Sequence, residues 1–78
     1  MKKILYSCIG VIDGVENNIV HARISEDFEN PDFDTFVTFN LDQISLSDQK
    51  ILQEGSIFYA HTSNEGCEIR LRRLIRQL

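Results

Sequence analysis

Hydrophobic and polar positions alternate with a period of two along much of this chain, in short runs separated by turn-forming residues. The first run is "ILYSCIGVI", Ile4 to Ile12, rich in β-branched residues. "DG" at Asp13-Gly14 and "ENN" at Glu16 to Asn18 follow; Asn, Asp and Gly tolerate positive φ, so both read as turns. In "IVHARI" the residues Val20, Ala22 and Ile24 share one face, while Ile19, His21 and Arg23 share the other. That is the signature of a half-buried antiparallel strand. "SEDFENPDFD", Ser25 to Asp34, breaks the alternation with five acids and the single proline, and reads as an exposed loop. "TFVTFNL", Thr35 to Leu41, resumes it, with Val37, Phe39 and Leu41 as the expected core face and Phe36 as a surface aromatic.

The segment from Asp42 to Gly55 departs from this pattern. Ser47 is a plausible N-cap, Asp48 suits the first turn, Leu46 and Ile51 are spaced as a hydrophobic staple, and Gly55 terminates. The expectation is a two-turn helix near residues 47–54. Strands then follow at Ser56 to Thr62 and Cys67 to Leu74, joined by the polar loop "SNEG", Ser63 to Gly66. In "EIRLRRLIRQL" Ile69 and Leu71 alternate with Arg70 and Arg72, which makes the basic end the last strand and leaves Leu74, Ile75 and Leu78 as an apolar end able to pair with a second copy. The order is β-β-β-α-β-β in a single domain spanning residues 1–78. The predicted fold class is all-β, mainly β, a small OB-like or SH3-like barrel.

Length and charge narrow the picture further. Seventy-eight residues sit near the lower limit for one core, and closing the sheet removes exposed edges. No apolar stretch is long enough to span a membrane, and "MKKILYSCIGVIDG" reads as a first strand rather than a leader, so a cytoplasmic location is expected. The two cysteines, Cys8 and Cys67, make no disulfide framework and no C-x-x-C pair; a zinc site would have to recruit His21 and His61 from afar. The formal net charge is −4, and every acid except Glu68 lies between residues 13 and 65, where only Arg23 and Lys50 oppose them. So acidic a middle repels phosphate.

The residues "GVIDGVENNIVHARI" and "LQEGSIFYAHT", each with a glycine leading into a strand, resemble those of small OB-fold proteins of the S1 type. The acidic middle, "EGSIFY" and the closing "IRLRRL" also resemble a set of short bacterial proteins of unassigned function. The S1 resemblance implies RNA binding on the face of the second and third strands, here around His21, Arg23, Phe36 and Thr38; a nucleic-acid site built on them would add the arginines of the closing segment, Arg70 and Arg72.

Motifs for catalysis do not emerge. There is no G-x-S-x-G, P-loop, H-E-x-x-H or G-x-G-x-x-G, and neither His21 nor His61 has a nucleophile at a meaningful spacing in the sequence. "DFENPDFD" lacks the spacing of an EF-hand, and Asp32 and Asp34 are explained by a solvated loop. No enzyme activity, metal or cofactor is therefore expected. The stronger candidate is a protein-binding surface: Phe28 and Phe33 set among Glu29, Asp32 and Asp34, aromatic anchors flanked by charges that speed encounter with a basic partner. The competing structural role is that both rings fold back onto the barrel. These features point to a small acidic accessory protein, antitoxin- or immunity-like, with single-stranded nucleic-acid binding as the alternative.

Overall fold

The computed structural model describes residues 4–72. Five antiparallel strands, β1 (Ile4–Glu16), β2 (Ile19–Ser25), β3 (Thr35–Asn40), β4 (Ile57–Ser63) and β5 (Gly66–Leu71), form one sheet in the order β3-β2-β1-β4-β5. The protein is mainly β, as the alternation predicted. Between β3 and β4 lie a 3-10 turn, Leu41–Gln43, and one helical turn, α1 (Leu46–Gln49).

β1 is the hinge of the sheet. Its first half pairs with β4 and its second with β2, overlapping from Ile9 to Val11. The expected turn at Asp13-Gly14 does not form; the chain stays extended there, with a bulge between Ile12 and Gly14. The reason lies outside the local sequence: the Ile12 N–H donates to Ser56 O and the Ile12 carbonyl accepts from Gly55 N–H, both at 2.8 Å, which holds Ile12 extended against the chain preceding β4. The second expected turn does form, at Asn17 and Asn18, with φ of 53° and 66°. Two consecutive positive-φ residues between paired Glu16 and Ile19 match the right-handed twist of the flanking strands.

The inner face follows the predicted parity. Ile12, Val20, Ala22, Ile44, Phe58, Ile69 and Leu71 form the buried cluster, with Val37, Phe39 and Leu41 packed against it. Phe58, 1% exposed, meets the Phe39 ring edge-on at 5.7 Å. Its own ring lies where a side chain on Gly10, its partner across the ladder, would have to go. Glycine is required at that position by space.

α1 is shorter than the expected 47–54 and starts earlier. Ser45, not Ser47, is its N-cap, its Oγ accepting from the Asp48 N–H at 3.3 Å. The staple fails, since Leu46 is 77% exposed and Ile51 is also on the surface; Leu52 packs on the core instead. What fixes this turn is Asp48, 1% exposed, whose Oδ2 accepts the Leu71 N–H at 3.0 Å. Just before it, Ile44 pairs in parallel with Ile69. Together these cover the outer edge of β5 where it meets the core.

Among the described residues β5 runs to Leu71, and Arg72 follows it with its N–H donating to Ile57 O at 2.7 Å; the rest of the strand expected to Leu74 lies outside the described residues. Leu74, Ile75 and Leu78, the proposed apolar end, lie outside the described residues, as do Lys2, Lys3, Arg73 and Arg76. Among the described residues no helix is long and apolar enough to cross a membrane.

Candidate functional site

The acidic segment between β2 and β3 is a built loop. Ser25 Oγ, at the end of β2, accepts from the Asp27 N–H at 3.1 Å and the Asp32 N–H at 3.2 Å, drawing the two limbs together. Asp27 Oδ1 accepts from the N–H groups of Glu29 and Asn30, both at 3.0 Å, which fixes the tip through the side-chain turn that Asp favours. The Asp34 N–H donates to Asp32 O at 2.8 Å on the way into β3. One side chain therefore organises each end of the loop.

Phe28 folds back, as the competing reading allowed. Its ring lies parallel to that of Tyr59, centroids 6.2 Å apart, on the outer face of β4. Ile9, the cross-strand partner of Tyr59, has outward parity and yet is only 7% exposed. Phe28 is thus partly structural, although it keeps an exposed edge. Phe33 is half-buried, and Glu29, Asp32 and Asp34 are exposed. Among the described residues Glu26, Glu29, Asp32 and Asp34 take no part in an ion pair.

Beside the loop, the mouth of the curled sheet opens as a hollow of about 440 Å³. Tyr6, Ile24 and Thr35 line it from the strands, and Glu26, Asp32 and Asp34 stand around it. Partial burial, then the nearby Cys8 and Glu26, push the Tyr6 phenol above its ordinary value. An aromatic, polar hollow with an acidic surround suits a cationic group.

The β2–β3 outer face does bring His21, Arg23, Phe36 and Thr38 together, Arg23 opposite Phe36 and His21 opposite Thr38. Phe36 is 78% exposed. Arg23, however, is already engaged: its Nε donates to both oxygens of Asp13 at 3.0 Å and its second nitrogen to Oδ1 at 2.8 Å. That bidentate bond raises the Arg23 pKa and occupies the fork a phosphate would use. Arg70 and Arg72 are not part of this face. Two strands separate β5 from β2, and Arg70 stands 3.9 Å from both Asp48 and Glu68.

One pairing is invisible in the sequence. Ser7 Oγ lies 3.0 Å from His61 Nδ1, across the β1–β4 ladder and 54 residues apart. No sequence spacing announces this contact, because the two residues meet only through the pairing of β1 with β4. A cross-strand hydrogen bond on the outer sheet face accounts for the contact.

Cys8 is buried and Cys67 exposed, and both are free thiols. Burial pushes the Cys8 thiol above its ordinary range. Among the described residues no three His, Cys, Asp or Glu side chains gather to hold a metal, so the distant zinc set does not assemble.

Comparison of this chain with protein-family models, with curated proteins and with solved structures finds no match.

Proposed function

We propose that this chain is a non-catalytic binding module, an acidic accessory protein of antitoxin- or immunity-like kind that docks on a basic protein surface in the cytoplasm. The observation that carries this reading is the loop from Ser25 to Asp34: internally hydrogen-bonded, anchored by the Phe28–Tyr59 stack, and presenting Glu29, Asp32 and Asp34 to solvent with half-buried Phe33 between them. A loop ordered before binding loses little entropy on docking, and carboxylates that form no ion pair among the described residues steer a cationic partner toward it. Two free thiols agree with a reducing compartment.

Single-stranded nucleic acid on the β2–β3 face is the second reading, supported by Phe36 and by the resemblance to OB-type barrels. The strand order, and the parallel pairing of Ile44 with Ile69 beyond the end of β3, support the OB-like form of the barrel over the SH3-like one. Engagement of Arg23 by Asp13 and the acids of the adjoining loop rank this reading below protein binding.

The test is quantitative affinity capture with the full chain and with the double variant Asp32→Lys/Asp34→Lys, each verified as folded by circular dichroism. The expected result is that a basic protein retained by the parent at low salt is lost by the variant, and by Phe33→Ser to a smaller extent. Equal recovery of every captured protein by all three chains would overturn the reading.

A further inference from the structure

The two edges of this sheet are treated differently. The edge of β5 is covered by Ile44, paired in parallel with Ile69, and by the Asp48 carboxylate on the Leu71 N–H. β3 lies at the other end of the strand order, paired only with β2 among the described residues. In an antiparallel ladder alternate residues turn both N–H and C=O away from the partner, so β3 carries a row of such groups. Sheet edges are ordinarily blunted by Lys, Pro, a bulge or a covering segment. The six residues of β3, Thr35-Phe36-Val37-Thr38-Phe39-Asn40, contain no charge and no Pro or Gly, and their register with β2 is unbroken.

We propose that the free edge of β3 receives an extended, basic segment of a partner protein as a sixth strand, its backbone pairing with β3 and its cationic side chains meeting the acids at either end. The inference rests on the proposed protein-binding function and names how the partner is held. Charge selects the occupant. Asp32 and Asp34 precede the strand, Asp42 follows it, and the hollow lined by Tyr6 and Thr35 opens at its beginning. A second copy of this chain fits poorly, because antiparallel self-pairing centred on Thr38 sets each Asp34 beside the other chain's Asp42, with a net charge of −4 on each. A strand ending in Arg or Lys meets opposite charge at the same places. Phe36, facing outward beside the edge, would pack against a side chain of the added strand. Main-chain bonds supply the affinity of such an addition, and the flanking charges its specificity.

The experiment uses the full chain, isotopically labelled, with amide exchange and amide shifts read by NMR. The probe is a capped hexapeptide of alternating valine and threonine with arginine at both ends. Two controls accompany it: the same peptide with glutamate ends, and the same peptide N-methylated at its valines. The expected result is that millimolar basic peptide shifts the amides of residues 35–40 and slows exchange of the outward N–H groups at least about tenfold, a protection typical of newly formed ladder bonds. Neither control does so. If the N-methylated peptide binds as well as its parent and shifts only residues 26–34, the edge is refuted while the acidic-loop reading stands. If basic peptide shifts neither region, both fail. If the outward N–H groups already exchange slowly without peptide, the edge is occupied, by a second copy when sedimentation shows a dimer and by the chain itself when it shows a monomer, and the proposal is refuted.

Discussion

Replacing Gly10 with alanine probes the close packing of β1 against Phe58. A Cβ there falls within the Phe58 ring. The ring has little room to retreat: it is 1% exposed, meets Phe39 edge-on at 5.7 Å, and belongs to the central cluster with Ile12, Val20 and Leu71. Overpacking of this kind costs about 1–3 kcal/mol where neighbours adjust, and the upper half of that range applies to a rigid aromatic. A domain of this length has a total stability of roughly 4–12 kcal/mol, so Gly10→Ala removes a large share. With a urea slope of about 1–2 kcal/mol per molar, the midpoint drops by about 1–3 M. Urea melts followed by far-ultraviolet circular dichroism measure it, since the chain lacks Trp. Gly14→Ala is the internal control, because a Cβ at Gly14 meets nothing within 4 Å, and its midpoint moves by less than about 0.5 M. In the Phe58→Leu background the cost of Gly10→Ala shrinks, giving a favourable coupling in the double-mutant cycle. A Gly10→Ala chain within about 0.5 kcal/mol of the parent, or equally destabilised with Leu at 58, would refute the reasoning.

Two further outcomes follow from buried groups. Asp48→Ala leaves the Leu71 N–H without its acceptor and costs about 2–4 kcal/mol, with Asp48→Asn recovering part because an amide oxygen still accepts; unchanged hydrogen-exchange protection at Leu71 in the alanine variant would show that the bond does not hold β5. For the thiols, iodoacetamide labels Cys67 in the folded chain and Cys8 only after unfolding. Because burial raises the Cys8 pKa, the unfolded chain loses that proton first: the contribution to stability is full below the ordinary thiol value, about 8.5, and is lost as pH rises through the higher folded value. Tyr6, also raised, acts in the same direction at higher pH. Urea midpoints measured from pH 7 to 10 fall above this point, and Cys8→Ala removes the earlier part of the fall; a profile unchanged by that substitution contradicts the assignment.

What could be read from the sequence was what depends on nearest neighbours. The alternation at Val20, Ala22 and Ile24, and at Val37 and Phe39, placed the inner face because a strand with one buried side must repeat every two residues. What could not be read was settled by distant partners. Asp13-Gly14 and Asn17-Asn18 both read as turns locally; the hydrogen bonds of Ile12 to Gly55 and Ser56, more than forty residues on, keep the first extended. Ser45 and Ser47 are equally good caps; Asp48 reaching Leu71, 23 residues away, chooses the first. At the candidate site the loop and its acids were legible as composition, whereas the parallel stack of Phe28 on Tyr59 and the claim of Asp13 on Arg23 required the fold. Arg23 shows why residue type alone misleads: the cation that the described residues place on the β2–β3 face is already bound to Asp13 within the molecule.

The acidity of this chain and the bareness of β3 explain each other. An uncharged six-residue edge rich in Thr, Val and Phe is a template for self-association, and a Lys in place of Thr38 would blunt it at little cost in packing, since Thr38 is exposed. The strand instead remains neutral while Asp32, Asp34 and Asp42 stand at its ends. Like-charged copies then repel as they approach, over a distance of about 8 Å at physiological ionic strength. In the proposed docking the same field would draw in a segment of opposite sign. Charges beside the edge therefore discriminate between occupants where charges on the edge would exclude all of them. High salt removes that discrimination in both directions at once, weakening the basic segment and permitting self-pairing. A chain that stayed monomeric in high salt with its β3 amides freely exchanging would show that the strand, and not its acidic flanks, resists association.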